Sequence, residues 1–75
     1  FNGSTLIKYS LPDAGPVSLS IYNIAGQKVA MLFEGMQEAG EHVVVWDAGD
    51  SPSGVYFYRL IAGDYTETRR MVLLR

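Results

Sequence analysis

Apolar and polar residues alternate with a period of two along most of this chain. Turn-forming residues interrupt the alternation at short intervals. That pattern belongs to an all-β sandwich or barrel. The first strand is expected over Thr5 to Leu11, with Ile7, Tyr9 and Leu11 on one face and Lys8 and Ser10 on the other. Pro12 to Pro16 ends it, because proline cannot donate to a ladder and Gly15 permits a sharp turn. The second strand, Val17 to Tyr22, alternates Val17, Leu19 and Ile21 with Ser18 and Ser20, so one face should be buried and the other wet. Asn23 to Gln27 reads as a hairpin loop with Gly26 at positive φ. A third strand, Lys28 to Phe33, keeps the alternation poorly; Val29 and Leu32 look internal, which suggests a bulge.

Glu34 to Gly40 reads as a loop, and a fourth strand follows from about Glu41 to Trp46, where His42, Val44 and Trp46 share a face. After the polar stretch Asp47 to Gly54, a fifth strand over Val55 to Ala62 puts Tyr56, Tyr58 and Leu60 on one face and Phe57, Arg59 and Ile61 on the other. Gly63-Asp64 fits a two-residue hairpin turn into a last strand from Tyr65 to about Leu74. Nothing carries helical periodicity. Six strands joined by hairpins bury their faces most simply as two packed antiparallel sheets. The core expected from the alternation includes Tyr9, Leu19, Ile21, Trp46, Tyr58 and Leu60.

Composition narrows the chemistry. Seventy-five residues make one domain at most, and 48% hydrophobic content is too apolar for disorder. Net charge is −2, against a nucleic-acid partner, which calls for a basic stripe. With no cysteine and a single histidine, disulfides, thiolate zinc sites and multi-histidine metal sites are excluded, and no cofactor is expected. Apolar runs stop at five residues, far short of the roughly 20 that a spanning helix needs. The opening at Phe1 without a signal region leads to the expectation of a piece of something longer.

Each candidate site has a plainer structural reading. Asp47 and Asp50 around Gly49 supply too few oxygens for calcium and are better read as caps of a turn. His42 lies among valines, and no serine stands in a Gly-x-Ser-x-Gly elbow, so a packed histidine is expected rather than a base. Trp46, Tyr56 and Tyr58 share faces with aliphatic residues and read as core; Tyr22 and Phe57, on outer faces, are the aromatics available to a contact surface. Arg69, Arg70 and Arg75 form a small basic cluster of the kind that protects strand edges. Asn2-Gly3-Ser4 matches a glycosylation sequon.

Several stretches together resemble one family. Phe1 to Pro12 (FNGSTLIKYSLP) is similar to the opening of the C-terminal sorting domain of proteins exported by the type IX secretion system of Bacteroidota-like bacteria. Ile21-Tyr22-Asn23 before Gly26 to Val29, Ala39 to His42 leading to Trp46-Asp47, Pro52 to Leu60 (PSGVYFYRL) and Arg70 to Arg75 (RMVLLR) resemble later segments of the same domain. Gly3 stands where the family usually has proline, and Ala48-Gly49 displaces the glycine that usually follows Trp-Asp. The resemblance implies an immunoglobulin-like sandwich of six to seven strands at the end of a longer secreted protein. It implies a non-catalytic address for export through the periplasm and outer membrane to the cell surface or medium. The partners it implies are the outer-membrane secretion machinery and a sortase, and Pro52, Gly54, Tyr56, Arg70 and Arg75 are the recognition residues it points to. Val17 to Gly63 also resembles the immunoglobulin-like domain of the flagellar hook-capping protein, an assembly scaffold. A third alternative is an extracellular subunit that associates through its strand edges.

Overall fold

A computed structural model describes residues 2–74 of the chain, so Phe1 and Arg75, both named above, lie outside the described residues. Six strands occur in the order β1 (Ser4–Leu11), β2 (Gly15–Asn23), β3 (Lys28–Gln37), β4 (Gly40–Asp47), β5 (Gly54–Ala62) and β6 (Tyr65–Leu73), with no helix among the described residues. They form two antiparallel sheets: a ribbon of β1 and β4, and a four-stranded sheet in the order β3-β2-β5-β6. The architecture is consistent with an immunoglobulin-like β-sandwich.

The connections differ from the expected run of hairpins. Only β2–β3 and β5–β6 are joined that way, and the other three links carry the chain from one sheet to the other. Alternation says which face of a strand is buried but not which neighbour it pairs with. The two real hairpins are closed by glycine where the backbone needs positive φ: Gly26 at 82° and Gly63 at 60°. Asn23 braces the first, its Oδ1 accepting from the N–H groups of Ala25 and Gln27 at 3.0 Å each.

The core lies where the sheets face each other. Ile7, Tyr9, Leu11 and Trp46 from the ribbon meet Val17, Leu19, Ile21, Tyr56, Tyr58, Leu60 and Leu73 from the larger sheet, all of them buried. Trp46 meets Tyr56 edge-on, ring centroids 5.3 Å apart at 62°, a favoured aromatic geometry. Tyr56 also donates its hydroxyl to the Pro52 carbonyl at 2.7 Å. A tyrosine at the start of a strand bonded to backbone a few residues upstream is the tyrosine corner of immunoglobulin-type sandwiches.

Three sequence expectations need correction. β3 does not stop at Phe33: Gly35, Met36 and Gln37 pair with Val17, Pro16 and Gly15, so most of the expected Glu34–Gly40 loop is strand. Pro16 is tolerated because β5 reaches only as far as Val17, which leaves that side of β2 open at the proline. Register shifts in β3 fall at Leu32 and at Val29, so the suspected irregularity is double; Leu32 is half-buried, but Val29 is turned out and exposed. Finally, Ser20 is buried rather than wet. β2 is central in its sheet, so Met31 and Arg59 flank Ser20 on both sides, and its hydroxyl donates to the Met31 sulfur at 3.4 Å.

Trp46→Ala should remove about 3–5 kcal/mol, a large part of the stability available to so small a domain. A thermal melt followed by circular dichroism should show the variant unfolded or melting far below the parent; an unchanged melt would contradict this account of the core.

Candidate recognition surface

The two segments singled out by the resemblance, Pro52–Leu60 and Arg70–Leu74, are folded against each other. They are antiparallel neighbours in β5 and β6, with Gly54 opposite Leu73, Tyr56 opposite Met71 and Phe57 opposite Arg70. Pro52, Gly54 and Arg70 are exposed, whereas Tyr56 is 5% exposed with its hydroxyl taken by Pro52. A buried ring cannot be touched by a partner. Tyr56 therefore sets the course of the Pro52–Gly54 backbone, and that backbone is the accessible part. Arg75 falls outside the described residues.

Side chains at directly opposed positions share a sheet face. Lys28, Tyr22, Phe57 and Arg70 consequently form one row across all four strands on the outer face of the larger sheet. Arg59, one row along, lays its guanidinium over the Tyr22 ring, 4.7 Å from the centroid. Sequence reasoning put Arg59 on the same strand face as Phe57 but singled out only Tyr22 and Phe57 for a contact surface, and it did not place Lys28 there. The Phe57–Arg70 pairing was readable from the Gly63-Asp64 turn, since a two-residue hairpin fixes the register of both arms. The pairing of β2 with β5 has no local signal.

The other candidates resolve into structural roles. His42 Nε2 donates to the Glu38 carbonyl at 2.7 Å, since a carbonyl only accepts, and the ring stacks on Tyr9 with centroids 5.3 Å apart at 26°. Tyr9 in turn donates its hydroxyl to Gln37 Oε1 at 2.9 Å. Together these contacts pin the short β3–β4 link to the ribbon. Asp47 Oδ1 accepts from the Gly49 N–H at 3.0 Å, and Ser51 N–H donates to the Ala48 carbonyl at 2.9 Å, so Asp47 caps a turn. Among the described residues no group of three His, Asp or Glu side chains stands close enough to hold a metal. A cleft of about 490 Å³ opens between the sheets beside Tyr9, His42, Leu60 and Tyr65. Its wall carries the Arg69–Glu67 ion pair at 2.9 Å.

Taken together, the geometry is that of an all-β sandwich of the immunoglobulin-like kind, with a basic, aromatic outer sheet face beside a braced loop. The chain matches the family described as "Secretion system C-terminal sorting domain" over residues 1–74, and it belongs to that family. Comparison with curated proteins and with solved structures returned no match. The family's domains are the sorting signals of type IX secretion and mark proteins exported through the outer membrane to the cell surface or beyond. Membership implies interaction with that secretion machinery. Among the described residues no helix is long and apolar enough to cross a membrane.

Two predictions follow from these contacts. Tyr56→Phe keeps the ring against Trp46 and removes one hydrogen bond, worth about 1 kcal/mol net; the melting temperature should fall by roughly 4–8 °C. An unchanged melt would deny the corner any role in stability.

The second concerns alkaline pH. Burial raises the phenol pKa of Tyr9, and burial also raises that of Tyr58 against an opposing pull from Arg69. A raised folded-state pKa means that stability is fully present below the unfolded value near 10 and is lost as pH climbs through the folded one. Titration from pH 9 upward should show tyrosinate absorbance and loss of the β-sheet signal rising together. Tyr9→Phe should move that loss to higher pH. Full ionisation of the tyrosines with the sheet signal intact would overturn the linkage.

Proposed function

We propose that this domain is a non-catalytic C-terminal address that carries an attached cargo across the outer membrane, is read there by the secretion machinery and is then removed by a sortase. The match to the sorting-domain family over residues 1–74 carries this reading. The position of the basic segment supports it physically. β6 is an edge strand, Arg70 is exposed on it, and Pro52 and Gly54 are exposed beside it. An edge strand offers unpaired backbone groups to an incoming strand, and flanking charge can fix the register of that pairing.

One observation favours a second reading, an assembly module of the hook-cap or self-associating kind. β1, β4, β3 and β6 each pair on one side only, so four of the six strands present an edge. Strand addition between copies would use the same backbone chemistry.

Arg70→Ser with Arg75→Ser separates recognition from folding, since surface substitutions usually shift stability by no more than about 0.5 kcal/mol. The domain is fused to a carrier in a bacterium that has the secretion system, and carrier outside the cell is measured beside a melting curve of each fusion. The expected result is lost export with an unchanged melt. Normal export of the variant would remove these arginines from the mechanism.

A further inference from the structure

The outer face of the four-stranded sheet has a composition that the fold does not require. Three of the chain's six Lys and Arg residues, Lys28, Arg59 and Arg70, lie within two adjacent rows of it, around Tyr22 and Phe57. The strand pairings put a single carboxylate, Glu34, on the same face, one row beyond Arg59. Among the described residues the recorded ion pair is Arg69–Glu67, which leaves these three cations without an acidic partner. The chain as a whole is acidic, with eight Asp and Glu against six Lys and Arg, so the charge is segregated rather than mixed. Solubility alone would be served by interspersed signs.

The apolar part of the face is equally specific. Tyr22 and Phe57 are half-exposed in the middle of the row, and Met31 and Ile61 are exposed beside Ser20 and Ser18. Stacking on Tyr22 holds the Arg59 guanidinium over the sheet instead of leaving it to sweep through solvent, which lowers the ordering cost of any contact it makes. Tyr, Phe, Met and Arg are the residue types enriched in protein–protein interfaces, and Tyr and Arg are recurrent hot spots. Three cations are too few to follow a phosphate backbone, whose binders neutralise several phosphates in line.

We infer that the Lys28–Tyr22–Phe57–Arg70 row, with Arg59, is the docking surface for a folded acidic protein: an apolar patch flanked by carboxylates that meet Lys28, Arg59 and Arg70. This rests on the sorting reading, within which the acidic protein is a component of the secretion machinery. It extends recognition from the terminal strand to β2 and β3, across the sheet from β6.

The test uses the same carrier fusion and leaves the terminal arginines untouched. Lys28→Glu with Arg59→Glu should lower exported carrier about tenfold or more, the scale on which like charges facing each other at a docking surface act. Lys28→Arg with Arg59→Lys, which keeps the charge, should export normally. Lys8→Glu, a reversal on the outer face of the ribbon, should also export normally. Melting curves accompany each fusion, and if the double reversal lowers the melt, Lys28→Gln with Arg59→Gln is read in its place.

Normal export of the double variant beside an exported parent overturns the docking surface and leaves the sorting reading standing. A parent fusion retained in the cell sinks both. Concentration-dependent self-association that the same reversal abolishes would assign the face to a second copy and overturn the proposal. So would reversal-sensitive binding to vesicles containing phosphatidylglycerol, which would assign it to lipid.

Discussion

A two-stranded ribbon is marginal by itself in water, and β1 with β4 is such a ribbon. Its order depends on burying Ile7, Tyr9, Leu11 and Trp46 against the inner face of the larger sheet. That docking dictates much else in the chain. Two residues, Glu38 and Ala39, join β3 to β4. Their reach of about 11 Å is little more than the ~10 Å between packed sheets, so β4 must begin opposite the end of β3. The Tyr9–Gln37 and His42–Glu38 hydrogen bonds fasten that crossing. At the other end of the ribbon the Trp46–Tyr56 contact and the Tyr56–Pro52 bond fasten the return into β5. The only histidine and three large rings, Tyr9, Trp46 and Tyr56, are thus committed to holding the ribbon down.

With the inner face committed to packing, surface chemistry is left to loops and outer faces. Pro52 to Gly54 is exposed because the corner turns it outward, and Arg70 is exposed because β6 is an edge strand. Arg70 belongs to the basic row on the outer face, and Gly54, three residues before Phe57 on β5, leads into it. A partner approaching that edge would meet loop backbone, strand edge and guanidinium groups within one patch. None of these features needs a cavity. An address can be read by surface complementarity, and a sheet face on which Arg59 is held against Tyr22 can provide it at little conformational cost.

The strands were legible because half-buried antiparallel sheet writes its burial as alternation, and Leu6 to Leu11 and Tyr56 to Leu60 follow it closely. Turn chemistry gave two hairpins, at Gly26 and Gly63. What stayed hidden was non-local. Nothing near Leu11 says that β1 pairs with β4 rather than β2, and nothing near Ser20 says that Met31 and Arg59 will cover it. The surface was half legible for the same reason. Tyr22 and Phe57 fall on outer faces by alternation, but their adjacency, and the stacking of Arg59 on Tyr22, depends on a pairing between strands more than thirty residues apart. Tyr56 came forward through the family resemblance as a recognition residue; it is buried, and its hydroxyl braces the loop at the Pro52 carbonyl.

The two departures from the family's pattern meet in space. Gly3 has φ 89°, a conformation closed to proline, whose ring fixes φ near −65°. The Gly3 carbonyl accepts the N–H of Ala48 at 2.8 Å, and Ala48 is buried there. The glycine at position 3 and the alanine after Trp46-Asp47 are therefore halves of one local adjustment, joined by a hydrogen bond that extends the β1–β4 ladder past Ser4 and Asp47. Gly49, at φ 55°, then takes the turn that Asp47 caps, one position later than the family's usual glycine. The adjustment lies between Ala48 and Ser51, ahead of Pro52, where the Tyr56–Pro52 corner and β5 begin. A domain that must present the same surface to one machinery can vary at this end of the ribbon, provided the hydrogen bond across it is kept.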